Sequence, residues 1–416
     1  MILEISFKNY RMFKNSNVIT FKADRRTKYL SSNIEDVNNV GVLKAIALYG
    51  PNNAGKSNVI SLLKNIKKIL IGETNFECNR KIFNDEPVTE AYIVFSTKNQ
   101  EWLKYEFVFN SETSKFEKEK LYAVTYYDNG TTFNKTIFEK DIDNRILKIY
   151  DTDNSTLLNI LPMNKPFLHT ISFDADFAQM KQWKDALEQC SNDIVFLKMF
   201  NIPIQKTIDM LKSCDQKKIN FINSFVKSAD LSINDFSYDE NSELIQSTQQ
   251  IDEKVLEGYQ GTIDTFKLNT TYGNATVPSI LFDSTGTKKV EAIASYIYEC
   301  ITDNKLLVVD ELDNGLHFTI TRAIVNIFNS MCNNGGQILF TAHDLLLIDS
   351  KNLLRKDQIY FLNTNGIASS LLSLKTLTTQ KTGLREGESL LKRYNHGDFG
   401  AVPLPDFTKE IIGVKI

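Results

Sequence analysis

The sequence predicts an α/β fold in which a parallel-sheet core is interrupted by an antiparallel β region and by a helical segment. Three observations predict this fold. A glycine-rich loop near the N terminus separates an apolar strand from an amphipathic helix, strand-like runs without helices fill residues 90–150, and an apolar strand ending in two acids begins at Leu306. Because α/β proteins bind ligands at the carboxyl ends of parallel strands, we expect the loop and the acids to meet at one sheet edge.

Composition limits the classes to which this chain can belong. It has 416 residues, 42% of them hydrophobic and 24% charged, which is enough for two or three packed lobes. The net charge of −3 gives no overall attraction for nucleic acid, so such a contact would need a local basic patch. The five scattered cysteines include no C-x-x-C pair, and no signal-peptide layout or membrane-length apolar run is present. We therefore expect a cytoplasmic protein without structural zinc or a membrane anchor.

Residues 1–170 are predicted to form the first lobe of the core. Alternating polarity in residues 1–22 predicts a hairpin whose turn contains Arg11. Further along, Asp-Asn-Gly at residues 128–130 predicts a turn between two strands. The strand-like runs of this region span residues 91–96, 103–109, 121–127, 131–138 and 145–150. With no helices between them, these runs indicate an antiparallel sheet.

The glycine-rich loop matches the pattern G-x-x-x-x-G-K-[ST] at every position. It follows a buried strand at residues 45–49, and the apolar spacing after it predicts a helix to about residue 71. Strand, loop and helix in this order are typical of a phosphate site, in which backbone N–H groups and the helix N terminus point at phosphate oxygens. The residues expected to bind nucleotide are Gly50, Pro51, Asn52, Asn53, Ala54, Gly55, Lys56, Ser57 and Asn58.

Four positions of the loop have specific chemical roles in this hypothesis. Gly50 and Gly55 let the backbone curl so that its N–H groups point inward. Lys56 would reach the β- and γ-phosphates, and the hydroxyl of Ser57 would bind Mg²⁺. We therefore predict that this loop binds the phosphates of a nucleotide together with Mg²⁺.

Residues 171–262 are predicted to form an inserted helical lobe. Apolar residues recur at helical spacing from Met180 to Leu197, and again in residues 204–211 and 219–226. No heptad pattern runs far enough for a long coiled coil. The polar segment at residues 232–261 is expected to be a loop. A second lobe of the core at 263–375 and a C-terminal extension at 376–416 complete the predicted organisation.

The second lobe carries three features that complete the predicted site. Residues 283–289 read Asp-Ser-Thr-Gly-Thr-Lys-Lys and open a helix, four apolar residues precede Asp310 and Glu311, and a later strand ends at His343. Asp310 can hold Mg²⁺ through water, and Glu311 can orient and deprotonate the attacking water. A lone histidine after a strand is usually structural, but the preceding acids and loop favour a catalytic role for His343 at the γ-phosphate or the attacking water.

Two further positions are assigned beside this site. Ser284 and Gly286 open a helix that could present a hydroxyl and N–H groups to phosphate, although the same residues are equally typical of a helix N-cap. Asp313, two residues after the acid pair, is predicted to lie at a subunit boundary next to the site.

The full set of motifs, in this order, resembles the ABC-type ATPase heads of the SMC-like and RecF-like class. The resemblance implies an insertion between Ser57 and Asp310, and a signature helix starting at Ser284 and Gly286 that faces the γ-phosphate of a partner subunit. Two copies related by a twofold axis would then bury two ATP molecules, and larger assemblies could be built on such dimers. Residues 9–13 read Asn-Tyr-Arg-Met-Phe and resemble the start of these heads, where an arginine lies near the nucleotide; Arg11 takes that role here. No glutamine can be assigned to the metal-sensing loop of this class.

A more specific resemblance is to bacterial RloA- and AbiL-type ATPases and to related anti-phage ATPases of the OLD-nuclease and PARIS types. It implies an ATPase that acts as sensor or scaffold in phage defence, with a phage-derived trigger protein and a separately encoded effector, such as a Toprim-like or other nuclease. The segments that carry it are residues 229–233, 283–288, 310–317, 341–344, 355–360 and 391–403.

Two alternative functions are weighed against this one. A nuclease with its own Toprim domain is disfavoured because the 73 residues after His343 lack an acidic metal cluster followed by a parallel α/β pattern. A DNA-repair or recombination ATPase that clamps DNA is weakened by the net negative charge and by the lack of coiled-coil arms. It stays as the alternative, so contact with nucleic acid is left open.

Overall fold

The computed structural model describes most of the chain. It describes every residue except 25–28, 74–85, 128–130, 174–176, 230–231, 241–257, 261–262, 350–351, 365–367, 375–389, 397 and 399–416. The predicted turn at 128–130 and most of the predicted polar loop and C-terminal extension therefore lie outside the described residues. None of the helices in the described part is both long and apolar enough to cross a bilayer.

The described strands are, in chain order, β1 (Ile2–Lys8), β2 (Asn17–Thr20), β3 (Ile34–Val37), β4 (Val40–Leu43), β5 (Ala45–Tyr49), β6 (Val88–Ser96), β7 (Trp102–Asn110), β8 (Lys115–Tyr126), β9 (Thr132–Asp141), β10 (Ile146–Ile149), β11 (Thr152–Asp153), β12 (Ile194–Lys198), β13 (Asn201–Pro203), β14 (Ile233–Tyr238), β15 (Gly258–Gln260), β16 (Leu268–Tyr272), β17 (Ala275–Pro278), β18 (Leu306–Asp310), β19 (Gln337–Thr341), β20 (Ile359–Thr364) and β21 (Ser369–Ser373). The described α-helices are α1 (Lys56–Leu70), α2 (Lys181–Asn192), α3 (Gln205–Lys212), α4 (Gln216–Ala229), α5 (Ser279–Phe282), α6 (Thr285–Thr302), α7 (Phe318–Phe328), α8 (Leu346–Asp349) and α9 (Leu390–Asn395).

A six-stranded sheet forms the core, in the order β12-β18-β19-β5-β20-β21. Its first five strands are parallel, and β21 runs antiparallel to β20. The strands β5, β18 and β19 are almost entirely buried, as expected for parallel strands covered on both faces. Their carboxyl ends lie at one edge, with β19 between the strand that enters the loop and the strand that ends in the acids.

One face of the core sheet packs on α1, and α1 packs in turn on an eight-stranded sheet. The order of this second sheet is β11-β10-β9-β8-β7-β6-β1-β2, and its described pairings are antiparallel. Leu63 and Ile66 of α1 share a core with Ile5 of β1 and Val308 of β18. The predicted N-terminal hairpin and the predicted antiparallel region are therefore confirmed.

The other face of the core sheet packs on helices α3, α4, α6 and α7. Ile208 of α3, Ile293 of α6 and Ile324 of α7 share a second core with Val309 of β18. Helices α3 and α4 confirm the helical segments predicted from the apolar spacing in this region. Helix α6 therefore packs against the strand that carries the acid pair.

The structure corrects the predicted helix that would have run from Met180 to Leu197. Helix α2 ends at Asn192 and β12 follows directly. A short run of Ile, Val, Phe and Leu fits a buried strand or a helix equally well by its spacing. It becomes a strand here because it pairs with β18, whose sequence lies more than a hundred residues further on.

The predicted helical lobe at 171–262 therefore contributes a strand to the core sheet. β12 pairs in parallel with β18 along its whole length, from Ile194 opposite Leu306 to Lys198 opposite Asp310. The same range also contains β13 and β14, which join smaller sheets. The division into lobes at these boundaries stays a proposal.

Candidate nucleotide site

The loop after β5 adopts the turn that its glycines permit. Gly55 has a φ of +100°, in the left-handed region, and a Cβ there would lie 3.1 Å from the ring of Phe13. At Gly50 a Cβ would lie 2.7 Å from the carbonyl oxygen of Leu362 on β20. Asn53 has a φ of +63°, which asparagine tolerates better than most residues. A side chain at Gly50 would force the loop away from β20, and one at Gly55 would press on Phe13.

Helix α1 begins at Lys56, directly after the loop. Asn52, Asn53 and Ser57 are exposed at its N-terminal end, whereas Ala54 is buried. The N–H groups of a first helical turn lack intrahelical partners and carry the positive end of the helix dipole. This end of α1 therefore faces solvent, and the binding of phosphate there stays a prediction.

The ammonium group of Lys56 lies on the loop itself. Its Nζ donates to the carbonyl oxygens of Gly50 at 2.6 Å and Pro51 at 3.2 Å. Burial lowers the pKa of Lys56, and the negative charges of nearby carboxylates, led by Glu311 and Asp310, oppose that shift. The loop lysine and the acid pair therefore lie within electrostatic reach of each other.

Thr341, the last residue of β19, fixes the geometry of the acid pair. Its hydroxyl donates to Oδ1 of Asp310 at 3.0 Å and accepts the backbone N–H of Glu311 at 2.7 Å. Its carbonyl oxygen accepts the N–H of Leu312 at 2.9 Å. The chain leaving β18 is thus attached to the neighbouring strand by three hydrogen bonds at one fully buried residue.

Glu311 occupies an unusual backbone conformation. Its φ is +57°, in the left-handed region, which costs a non-glycine residue about 1–2 kcal/mol. The side chain is half-buried, and its Oε2 accepts a hydrogen bond from Nδ2 of Asn314 at 3.1 Å. Backbone strain at a carboxylate on a ligand-binding edge is typical of a functional site.

Asp313 connects the turn after β18 to the segment that carries His343. Its Oδ2 accepts the backbone N–H of His343 at 2.7 Å and that of Asp344 at 2.6 Å. The imidazole of His343 is exposed at the same edge. The catalytic role of His343 and the subunit-boundary role of Asp313 stay predictions, and both residues lie at the edge that carries the acids.

Ser284 is the N-cap of α6, and its side chain is exposed. Its Oγ accepts the backbone N–H of Thr287 at 3.1 Å, so the N-cap interpretation is confirmed. A Cβ at Gly286 would lie 3.1 Å from the carbonyl oxygen of Gly315, so the start of α6 lies against the turn that follows the acid pair. Contact of Ser284 and Gly286 with a partner's phosphate stays a prediction.

Arg11 lies beside the first turn of α1. Its Nη1 donates to Oδ1 of Asn58 at 3.2 Å, and its guanidinium carbon lies 5.5 Å from the ring centroid of Tyr10. The hydroxyl of Tyr10 accepts a hydrogen bond from Asn65 of α1 at 2.9 Å. The turn at residues 9–13 is therefore attached to the phosphate helix, and contact of Arg11 with the nucleotide stays a prediction.

The residues at this edge fit a magnesium ion. The hydroxyl of Ser57 is exposed, and Thr341 occupies only one oxygen of Asp310 among the described contacts. Within the described residues, no group of three or more His, Cys, Asp or Glu side chains could hold a metal. Mg²⁺ usually takes only one or two protein oxygens and completes its shell with phosphate and water, so Ser57 and Asp310 would suffice. Bound there, Mg²⁺ would neutralise charge on the phosphates.

The chain has the α/β fold of a P-loop protein. The loop on β5 and the acids on β18 meet at one edge of a parallel sheet, which an antiparallel sheet and a helical layer cover on opposite faces. It belongs to the family described as "AAA domain, putative AbiEii toxin, Type IV TA system", whose model matches residues 45–349.

Two solved structures are similar to this chain at low identity. The SMC head domain from Thermotoga maritima is 12% identical, with a TM-score of 0.44 over 89% of this chain and 98% of that chain. The SMC head bound to the C-winged helix domain of ScpA is 11% identical, with a TM-score of 0.45 over 91% of this chain and 99% of that chain. None of the curated proteins matches this chain.

Three residues at this edge were not assigned a role from the sequence. Thr341 orients the acids, Asn314 contacts Glu311, and Lys198 lies in register with Asp310 at the end of β12. Thr341 and Asn314 lie within the motif segments 341–344 and 310–317. The sequence therefore places them near the site but does not predict their hydrogen bonds. Nothing in the local sequence marks Lys198, because its place depends on the pairing of β12.

Proposed function

We propose that two copies of this chain bind and hydrolyse Mg-ATP at sites shared between them, as the ATP-dependent sensor or scaffold of a bacterial anti-phage system. The observation that carries the proposal is the placement of the loop after β5 and of the acid pair at the end of β18, on either side of β19 at one edge of the core sheet. It supports a single site in which Lys56 binds phosphate, Asp310 and Ser57 hold the metal, and Glu311 takes a proton from water.

The exposure of the site supports the involvement of a second copy. Asn52 and Ser57 in the loop, His343 after β19 and Ser284 at the start of α6 are all exposed. A single chain would leave bound phosphate open to water on this side. A second chain that places its α6 N terminus over the phosphates would bury them and would complete the ring of N–H donors.

Loss of the loop lysine tests nucleotide binding. Lys56→Ala should abolish measurable Mg-ATP binding by calorimetry, while the thermal unfolding curve keeps its cooperative shape. Lys68→Ala removes an exposed lysine from the same helix and should bind ATP as the wild type does. Unchanged ATP affinity in the Lys56→Ala protein would refute the assignment of the site.

Mixed dimers test the shared site. Ser284→Arg adds bulk and charge at the α6 N terminus, so it should spare ATP binding to a single chain but remove hydrolysis. A mixture of Ser284→Arg and Lys56→Ala chains should regain one working site per mixed dimer, built from the first chain's loop and the second chain's α6. If mixed dimers form and stay as inactive as either parent, the two-chain site is wrong.

The defence role and the partners rest on the family and on the narrower resemblance to RloA- and AbiL-type ATPases. We infer that a separately encoded effector, such as a Toprim-like or other nuclease, does the damage after a phage-derived protein triggers the ATPase. Expressed with its natural neighbours, the wild-type chain should lower the plating efficiency of some phages, and Lys56→Ala should lose that protection.

The family description also names a toxin, which gives a second candidate role. If this chain is itself the toxin, its expression alone should arrest growth, and the purified protein should carry the damaging activity. The separate-effector proposal expects neither result. A DNA-clamping ATPase, the third candidate, should bind duplex DNA in an ATP-dependent and strongly salt-sensitive manner.

A further inference from the structure

The start of α6 and the turn after the acid pair are joined by a chain of hydrogen bonds. Lys289, in the second turn of α6, is 4% exposed. Its Nζ donates to both the main-chain oxygen and the side-chain Oδ1 of Asn314, each at 2.9 Å. The Nδ2 of Asn314 then donates to Oε2 of Glu311 at 3.1 Å. The helix is thus connected to the carboxylate through a single amide group.

The lysine determines which way the amide of Asn314 points. A lysine ammonium group can only donate hydrogen bonds, so the oxygen of the amide must face Lys289. The amide nitrogen then faces Glu311, where it can donate to the carboxylate. Lys289 and Glu311 thus favour the same orientation of the amide, and without Lys289 only the contact with Glu311 would hold it.

Close packing holds this arrangement in place. A Cβ at Gly315 would lie 2.6 Å from Nζ of Lys289, and a Cβ at Gly286 would lie 3.1 Å from the carbonyl oxygen of Gly315. Both positions therefore allow the turn to approach α6 more closely than a side chain would permit. The backbone of the turn therefore lies directly beside the end of the Lys289 side chain, where Nζ contacts Asn314.

We propose that Lys289 and Asn314 are positioning residues that hold the carboxylate of Glu311 in the orientation that accepts a proton from water. This inference rests on the proposed ATP hydrolysis and adds how its base is oriented. In this inference both residues act through Glu311. A base must lie within hydrogen-bond reach of the proton that it takes, so a carboxylate free to rotate would spend less time in the productive orientation.

Single and double variants test the chain of contacts. Lys289→Met and Asn314→Ala should each lower kcat about tenfold, the effect of one hydrogen bond to a charged group, while the Kd for ATP changes less than about twofold. The double variant should be no slower than the slower single variant if the lysine acts on Glu311 through the amide, as the inference requires.

A lysine that follows the end of α6 provides the control. Lys305 is bound to Glu299 at 2.5 Å, and Lys305→Met should leave kcat unchanged. Hydrogen exchange without nucleotide gives a readout independent of activity: the amides of residues 312–316 should exchange faster in Lys289→Met and not in Lys305→Met. Unchanged kcat and unchanged exchange in Lys289→Met, beside an active wild type, would overturn the inference and leave the ATPase assignment intact.

Mixed dimers decide whether Lys289 acts within its own chain. In the pair of Ser284→Arg and Lys56→Ala chains, the one working site would use the loop and Glu311 of the Ser284→Arg chain. The start of α6 at that site would come from the Lys56→Ala chain. Lys289→Met added to that chain should lower turnover about tenfold, and added to the Lys56→Ala chain it should have no effect. The reverse pattern would show that Lys289 supports the contact in trans and would overturn the inference. Absence of hydrolysis in the wild type would instead refute the proposed function itself.

Discussion

Two regions of this molecule bring lysine and carboxylate together, and they differ in how completely their polar atoms are paired. In the eight-stranded sheet, Lys140 and Glu119 form an ion pair at 2.7 Å, with their side chains 1% and 0% exposed. Glu119 also accepts hydrogen bonds from the hydroxyl of Tyr105 at 2.7 Å and the N–H of Phe167 at 2.9 Å. At the nucleotide site, Lys56 instead contacts two carbonyl oxygens of its own loop.

The difference separates a structural ion pair from a ligand site. Both charges of the buried pair are compensated within the chain, so nothing is left for a ligand to bind. At the sheet edge, the acids are half-buried and Ser57 is exposed, and the carbonyl contacts of Lys56 can be exchanged for stronger ones to phosphate. Substitutions in the buried pair should therefore affect stability, and substitutions at the edge should affect chemistry.

The largest effect should follow from removing the proposed base. Glu311→Gln keeps the shape and the hydrogen-bond acceptor of the side chain but cannot take a proton. Hydrolysis should fall by roughly two to four orders of magnitude, with ATP binding retained. Because the side chain is half-buried, the free energy of unfolding should change by less than about 0.5 kcal/mol. Steady-state phosphate release, calorimetry and urea unfolding check the three expectations.

Asp310→Asn distinguishes the roles of the two acids. If Glu311→Gln hydrolyses ATP at nearly the wild-type rate while Asp310→Asn does not, the base and the metal ligand have been assigned in the wrong order. A large loss of stability in Glu311→Gln would instead make this carboxylate structural, and the contrast with Glu119 would disappear.

The buried pair should show the opposite behaviour. Lys140→Met leaves the charge of Glu119 buried without a cation, which should lower the free energy of unfolding by about 3–5 kcal/mol. Lys120→Met is the matched control on the neighbouring strand, because Lys120 and Glu139 also lie 2.7 Å apart but are 33% and 29% exposed. That surface pair should contribute no more than about 1 kcal/mol.

Urea unfolding of the two lysine variants measures this difference, and ATP calorimetry shows whether the site is disturbed. Both variants should bind ATP with wild-type affinity. Adding Glu119→Gln to Lys140→Met should recover part of the lost stability, because no charge then stays buried. Equal effects of the two lysine substitutions would mean that burial does not distinguish these pairs.

The sequence predicts the parts of the site that depend on local structure. The loop and its helix, the acid pair after an apolar strand and the N-cap at Ser284 can each be read from a few neighbouring residues. What could not be predicted depends on pairing between distant segments. Thr341 contacts Asp310 only because β19 lies beside β18, and Lys198 lies opposite Asp310 only because β12 takes the edge of the sheet.

The same limit explains why the buried ion pair was not predicted. In β8, Glu119 lies between two lysines and looks like part of a solvent-facing charged run. The cross-strand register places Lys140 opposite it, and Phe167 of a later segment covers the pair. Burial and partners of this kind arise from the packing of whole segments, so residue type and spacing cannot reveal them.

A third carboxylate, Glu291 of α6, is buried like the ion pair of the eight-stranded sheet but is incompletely hydrogen-bonded, like the nucleotide site. Its full burial, like that of Glu119, disfavours the charged form and raises the pKa of Glu291 well above the usual value. Its Oε2 accepts a hydrogen bond from Ser279 at 2.8 Å, and its Oε1 has no hydrogen-bond partner among the described residues. Without a cation, the side chain should be neutral in the folded protein.

The smallest effect, and the sharpest test of the comparison, is therefore a dependence on pH at Glu291. In the unfolded chain this carboxyl loses its proton above about pH 4.3, whereas the folded protein retains it, so folding takes up a proton and stability falls as pH rises. Glu291→Gln cannot ionise and should remove this slope, so the free energy of unfolding of the variant should gain on that of the wild type by up to about 1.4 kcal/mol between pH 6 and pH 7.

The control is Glu299 on the same helix. Burial opposes its ionisation, but hydrogen bonds from Lys206 and Lys305 hold its pKa below the usual value. Glu299→Gln should therefore lose stability at neutral pH and less at acid pH, the opposite sign. Parallel stability–pH curves for wild type and Glu291→Gln would show that Glu291 is charged in the folded state, and an unrecognised cation would then have to lie beside it.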